Sequence, residues 1–118
     1  MNTYTTKGTV IAPEVVLSVV EAGTQSPDVQ ANNRGEVRFI LRNTGNVDAK
    51  ISVSNTSVVG SQLDSGNPAS FTQSNTNEVT ISAGQQATYL VYIMGEDISA
   101  GSPNGTYEVS IDYDYIQA

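Results

Sequence analysis

Valine and isoleucine outnumber leucine 22 to four in this 118-residue chain. Branching at Cβ costs side-chain freedom in a helix and suits the pleat of a strand. No window sustains apolar residues at a 3.6-residue period, so the chain reads as all-β. Its length allows one domain with one core. The alternation is cleanest over residues 106–116. Tyr107, Val109, Ile111, Tyr113 and Tyr115 share one face there, and Glu108, Ser110, Asp112 and Asp114 the other.

The same period organises the rest. Residues 36–42 turn Val37, Phe39 and Leu41 inward and Arg38 and Arg42 outward; residues 47–54 turn Val47, Ala49, Ile51 and Val53 inward. The connector Asn43-Thr44-Gly45-Asn46 predicts a hairpin between them. Asp48 would then face Arg42 as a cross-strand ion pair worth about 0–1 kcal/mol. Val10 and Ile11 predict a short first strand stopped by Pro13, and residues 15–20 a strand buried on both faces. Residues 22–35 read as loop. Further strands are expected over 78–82 and 87–94, with short edge strands near Val58, Val59, Leu63 and Phe71. About eight strands at this spacing imply an antiparallel β-sandwich or jelly roll. Residues 1–12 form an N-terminal arm or donor strand in this reading, and residues 13–118 a single sandwich domain.

Charge is divided unevenly. All five basic residues (Lys7, Arg34, Arg38, Arg42, Lys50) lie in the first 50 positions, balanced by five acids. The last 68 positions hold seven acids and no base, a net charge of −7. Bound cations, the mixed-charge half of a neighbouring copy, or solvent and salt can neutralise such a half. A nucleic-acid backbone needs a basic footprint, so that class of partner is excluded. The longest apolar run, residues 15–20, is too short to span a membrane. The Thr-rich opening has neither the basic start nor the apolar stretch of a secretory leader; a trimmed mature form and a cytoplasmic chain both fit it. Ser, Thr, Asn and Gln number 42. A surface rich in uncharged polar groups points to an extracellular or cell-surface setting.

Histidine and cysteine are both absent. That removes the commonest general base, the commonest zinc ligands, thiolate chemistry and disulfides. Serine is plentiful, but a nucleophile needs a base and an orienting group. The chain therefore reads as a non-enzyme. Carboxylates remain the chemistry on offer. Glu108, Asp112 and Asp114 on one strand face, with Glu96 and Asp97 or with Asp64 and Asn67, could complete an oxygen shell for Ca²⁺, within one copy or between copies. A solvated strand face is the plainer account. Paired catalytic carboxylates of a glycosidase have no Trp platform beside them.

The first residues carry a second candidate. Thr3, Tyr4, Thr5, Thr9 and Val10 are β-prone and polar, with Gly8 as a hinge. An extended arm of this kind can complete the sheet of another copy; a frayed terminus or an ordinary first strand are the alternatives. Arg34, Arg38 and Lys50 are the cations that would meet acidic faces of the next copy. Tyr107, Tyr113 and Tyr115, with Tyr89 and Tyr92, suit a core edge or an interface. Asn55-Thr56-Ser57 and Asn104-Gly105-Thr106 match the glycan-acceptor pattern.

Three segments together carry a family likeness. They are Arg42-Asn43-Thr44-Gly45-Asn46-Val47-Asp48-Ala49, Val79-Thr80-Ile81-Ser82-Ala83-Gly84-Gln85 and Gly105-Thr106-Tyr107-Glu108-Val109. The pattern resembles the TasA/camelysin-type extracellular fibre subunits and the related archaeal bundling-pilus and cannula tubule proteins. The resemblance implies a jelly-roll subunit that polymerises into an open homo-oligomer by donating a terminal strand, with calcium at subunit contacts in the cannula case. Archaellum stator domains that grip the cell's protein coat read similarly. They imply the alternative, a surface module that binds a coat protein or a glycan.

Overall fold

The computed structural model describes residues 2–19, 29–63, 67–97, 99–101 and 105–118. Those residues form seven strands and no helix: β1 (Leu17–Val19), β2 (Arg34–Asn43), β3 (Ala49–Gly60), β4 (Ala69–Phe71), β5 (Glu78–Ile81), β6 (Gln86–Met94) and β7 (Tyr107–Gln117). They build two antiparallel sheets, one in the order β1-β2-β6-β4 and one in the order β5-β3-β7. No helix of the described residues is long and apolar enough to cross a membrane.

Alternation dictates the core. Val37 and Leu41 of β2, Ala49, Ile51 and Val53 of β3, and Ala87, Tyr89, Val91 and Ile93 of β6 are each no more than 3% exposed. Phe71 of β4 and Ile81 of β5 close one side. The Phe71 ring meets Tyr89 edge to face at 4.9 Å, and the Tyr89 hydroxyl shares a 3.0 Å hydrogen bond with Thr56 Oγ1 of β3. The two central strands β3 and β6 thus face each other across the core.

The expected hairpin over residues 36–54 is not formed. β2 and β3 lie in different sheets, so residues 44–48 carry the chain across the sandwich. Alternation says which face of a strand is apolar. Two such faces satisfy it equally well by meeting across a core. Arg42 and Asp48 accordingly form no ion pair, and none of residues 43–46 takes a positive φ. Asn43 secures the crossing. It is fully buried, donates from Nδ2 to the Val47 and Ile81 carbonyls at 2.8 and 2.9 Å, and accepts the Gly45 amide on Oδ1 at 3.0 Å. Its main chain pairs with the turn after β5, through Asn43 N to Gln85 O at 2.9 Å and Gly84 N to Asn43 O at 2.8 Å.

Other expectations shift as well. Val10 and Ile11 lie in no strand and are exposed, because no neighbouring strand offers them a ladder. β1 begins only at Leu17, and Ser18 is exposed rather than buried. β3 runs on to Gly60, past the point where alternation breaks. A bulge between Val53 and Asn55 resets the faces there, turning Thr56 and Val58 inward.

Candidate functional site

The arm dominates the shape. Every residue from 2 to 14 is exposed, Tyr4 at 94% and Val10 at 97%. Among the described residues none of positions 2–11 makes a hydrogen bond. The molecule measures 90 × 23 × 18 Å with a radius of gyration of 20.6 Å. A compact chain of this length would have about 13.5 Å. Thr3, Tyr4, Thr5, Thr9 and Val10 all lie on this projecting segment.

The arm has a built root. The Asn46 side chain accepts the Glu14 amide on Oδ1 at 2.7 Å and donates from Nδ2 to the Ala12 carbonyl at 3.0 Å. It bridges Pro13, which has no amide to give. The Asn46 amide donates to the Glu14 carbonyl at 3.1 Å, and the Thr44 amide to the Val16 carbonyl at 2.9 Å. Gly45 lies so close beneath the arm that a Cβ there would overlap the Glu14 carbonyl oxygen. The motif read as a hairpin turn is therefore divided. Its first asparagine joins the sheets, and its last holds the arm. The clue in the sequence was the pair of asparagines around Thr-Gly, which looks the same in a turn and in a clamp.

β7 is the second element. It is the last strand of its sheet, and among the described residues nothing pairs with its outer edge. Its inner row, Tyr107, Val109, Ile111 and Tyr113, packs against the core but stays half-buried, and Tyr115 is 40% exposed. The geometry explains this. β4 touches β5 and closes that side of the core, whereas β7 lies on the opposite flank of its sheet. Leu17 and Phe39, away from β4 in their own sheet, are half-buried too. Glu108, Asp112 and Asp114 stand exposed on the outer face of β7. Asp112 is held at its carbonyl by Ser54 Oγ (3.2 Å) and at its carboxylate by Asn55 Nδ2 (3.5 Å).

The remaining charges are dispersed. Arg34, Arg38 and Arg42 line the outer face of the four-stranded sheet: Arg34 over the Tyr92 ring at 4.7 Å, Arg38 paired with Glu36 at 2.9 Å. Lys50 does not join them. It sits on the other sheet, 3.6 Å from Glu78. Glu96 and Asp97 lie at one end of the sandwich, where Asn32 Nδ2 donates to Asp97 Oδ1 at 3.1 Å. Glu96 lines an open cleft there with Gln62, Leu63, Thr106 and Tyr107. Asp112 and Asp114 are about 17 and 23 Å further along β7 than Tyr107, at ~3.3 Å per residue. Asn67 Oδ1 is buried without a hydrogen-bond partner among the described residues. Asp64, named with it, lies outside the described residues, as does Asn104 of the second glycan-acceptor pattern. Among the described residues no three acidic side chains come together as a metal centre requires.

Comparisons with known protein families, with curated proteins and with solved structures find no match to this chain.

Proposed function

We propose that this chain is a structural subunit that polymerises outside the cell by lending its arm to the sheet of the next copy. The arm carries the reading. A ten-residue β-prone segment, residues 2–11, that makes no hydrogen bond in its own copy, on a root fixed by four hydrogen bonds, is built to be used elsewhere. The half-buried row of β7 supports it from the acceptor side, since an added strand would complete that cover. Contacts between unlike surfaces repeat without closing, which favours an open filament or tubule. Within this proposal the fold is a jelly roll of the TasA/camelysin kind and the protein is not an enzyme. Calcium has its place between copies, at the exposed carboxylates of β7.

Trypsin supplies a direct test. Lys7 is the arm's one cleavage site. Cleavage after Lys7 should be fast in dilute monomer and strongly slowed at concentrations, with or without Ca²⁺, where electron microscopy shows filaments. Removal of residues 2–11 should abolish growth and leave the domain folded. Equal cleavage in both states, or filaments from the shortened chain, would refute the arm's role.

A second reading rests on the open end cleft beside Gln62, Leu63 and Glu96. There the protein would be a surface module that binds a coat protein or a glycan. It predicts a monomer at all concentrations and retention on a glycan or coat-protein column.

A further inference from the structure

We propose that the open cleft at the end of the sandwich seats the end of a neutral saccharide chain; this rests on the surface-module reading of that cleft, not on strand donation. Four segments meet there, 29–33, 60–63, 95–96 and 105–107. Their main chains are tied together. Ser61 N donates to Thr106 O at 3.1 Å, Glu96 N to Gln62 O at 2.9 Å, Asn32 N to Gly95 O at 3.0 Å and Gly95 N to Asn33 O at 3.0 Å. Glycine permits the close approach. A Cβ on Gly95 would overlap the Gln30 carbonyl oxygen, and one on Gly105 the Ser61 hydroxyl. Gln62 sits in this junction at a φ of 62°, a left-handed conformation uncommon for a residue with a long side chain. Strain of this kind gathers where a ligand is held. The cleft offers about 430 Å³, inside the range of about 300–1,000 Å³ typical of small-ligand sites.

The lining selects by chemistry. Glu96 is the one charged side chain on it among the described residues, and its carboxylate has no partner there. The Ser61 and Thr106 hydroxyls are likewise unpaired among the described residues. A carboxylate and two hydroxyls around one cleft can accept from and donate to the hydroxyls of a sugar ring. Leu63 and Tyr107, both half-buried, supply the apolar surface that the C–H face of such a ring needs. A phosphate, sulfate or uronate would meet the Glu96 charge with no cation of the described lining to offset it, so anionic ligands are rejected. An extended peptide is disfavoured on other grounds. It binds by adding a strand to a free edge, and the amides of Ser61, Glu96, Asn32 and Gly95 are already paired with their neighbours. Recognition therefore falls to the side chains.

The test uses the full chain, isotope-labelled, with cellobiose, chitobiose, lactose and mannobiose as probes. At least one should shift the amide resonances of residues 61–63, 95–96 and 105–107. E96A should weaken that binding about tenfold, the size of one lost hydrogen bond to a charged group, and T106A should weaken it less. Both side chains are exposed and unpaired among the described residues, so thermal unfolding of the two variants should match the parent. The uronate form of the bound sugar should bind the parent at least tenfold more weakly, and E96Q should narrow that difference, which a merely structural Glu96 would not do. No shift with any of the four probes, shifts elsewhere on the chain, or equal binding by E96A and the parent would overturn the saccharide seat. Retention on a coat-protein column with no probe bound would overturn it too and leave the surface-module reading standing. A chain that does neither would sink both.

Discussion

The centre of the sandwich and its β7 margin are written in the same alternating pattern and end up in different surroundings. In β3 and β6 the inward residues are sealed to 3% exposure or less. In β7 the inward row is as apolar and as regular, yet only half-buried. The difference lies in what flanks each strand. β3 and β6 each lie between two neighbours in their sheets; β7 has one, and among the described residues nothing pairs with its outer edge. An apolar pattern therefore states what a strand is suited to bury, and the neighbours decide whether it does. The surplus at β7 and the idle arm are complementary deficits within one chain.

Substitutions can break this contrast. The largest effect belongs to the sealed centre. Phe71→Ala should cost about 3–5 kcal/mol and Ile51→Ala about 2–5 kcal/mol, read by urea or thermal unfolding. Asn43→Ala comes next. It strands the Val47 and Ile81 carbonyls in the interior, and about 2–4 kcal/mol should be lost over the two unmade bonds. Ile111→Ala sharpens the comparison most. In the monomer it should cost about 1–2 kcal/mol, less than Ile51→Ala, because its surroundings already admit water. In an assembled state that gap should narrow, and equal costs in the monomer would mean that β7 is as sealed as β3. Asn46→Ala should change unfolding by about 1 kcal/mol or less, since its partners lie at the surface. It should nevertheless widen proteolysis from Lys7 into residues 12–16, measured by limited digestion with a protease of broad specificity. Lys50→Ala should be smallest, within about 0.5 kcal/mol, as an exposed pair with Glu78 contributes little.

Much of the interior was legible. Val37, Leu41, Ala49, Ile51 and Val53 are named as inward by period alone and are buried, while Phe39 and Val47, named with them, are half-buried. Partnership was not legible. The sequence around Asn43 and Asn46 fits a hairpin as well as a crossing, and only the buried Asn43 side chain decides between them. The bulge at Val53 and Asn55 hid the second half of β3 because it interrupts the very signal by which strands are read. Lys50 was grouped with Arg34 and Arg38 by sign and proximity in sequence. Outward residues of β2 and β3 point away from each other once those strands occupy opposite sheets. The projecting arm was legible as β-prone and polar. Its isolation was not, since the same residues would make an ordinary first strand beside any partner.

The way the arm is anchored has a mechanical consequence. A pull along residues 2–11 arrives first at the Asn46 and Thr44 bonds to residues 12–16. One residue before Thr44, Asn43 ends β2 and holds the Ile81 carbonyl of β5. Tension would therefore enter the domain where its two layers are fastened together and spread into both, rather than peel one strand from an edge.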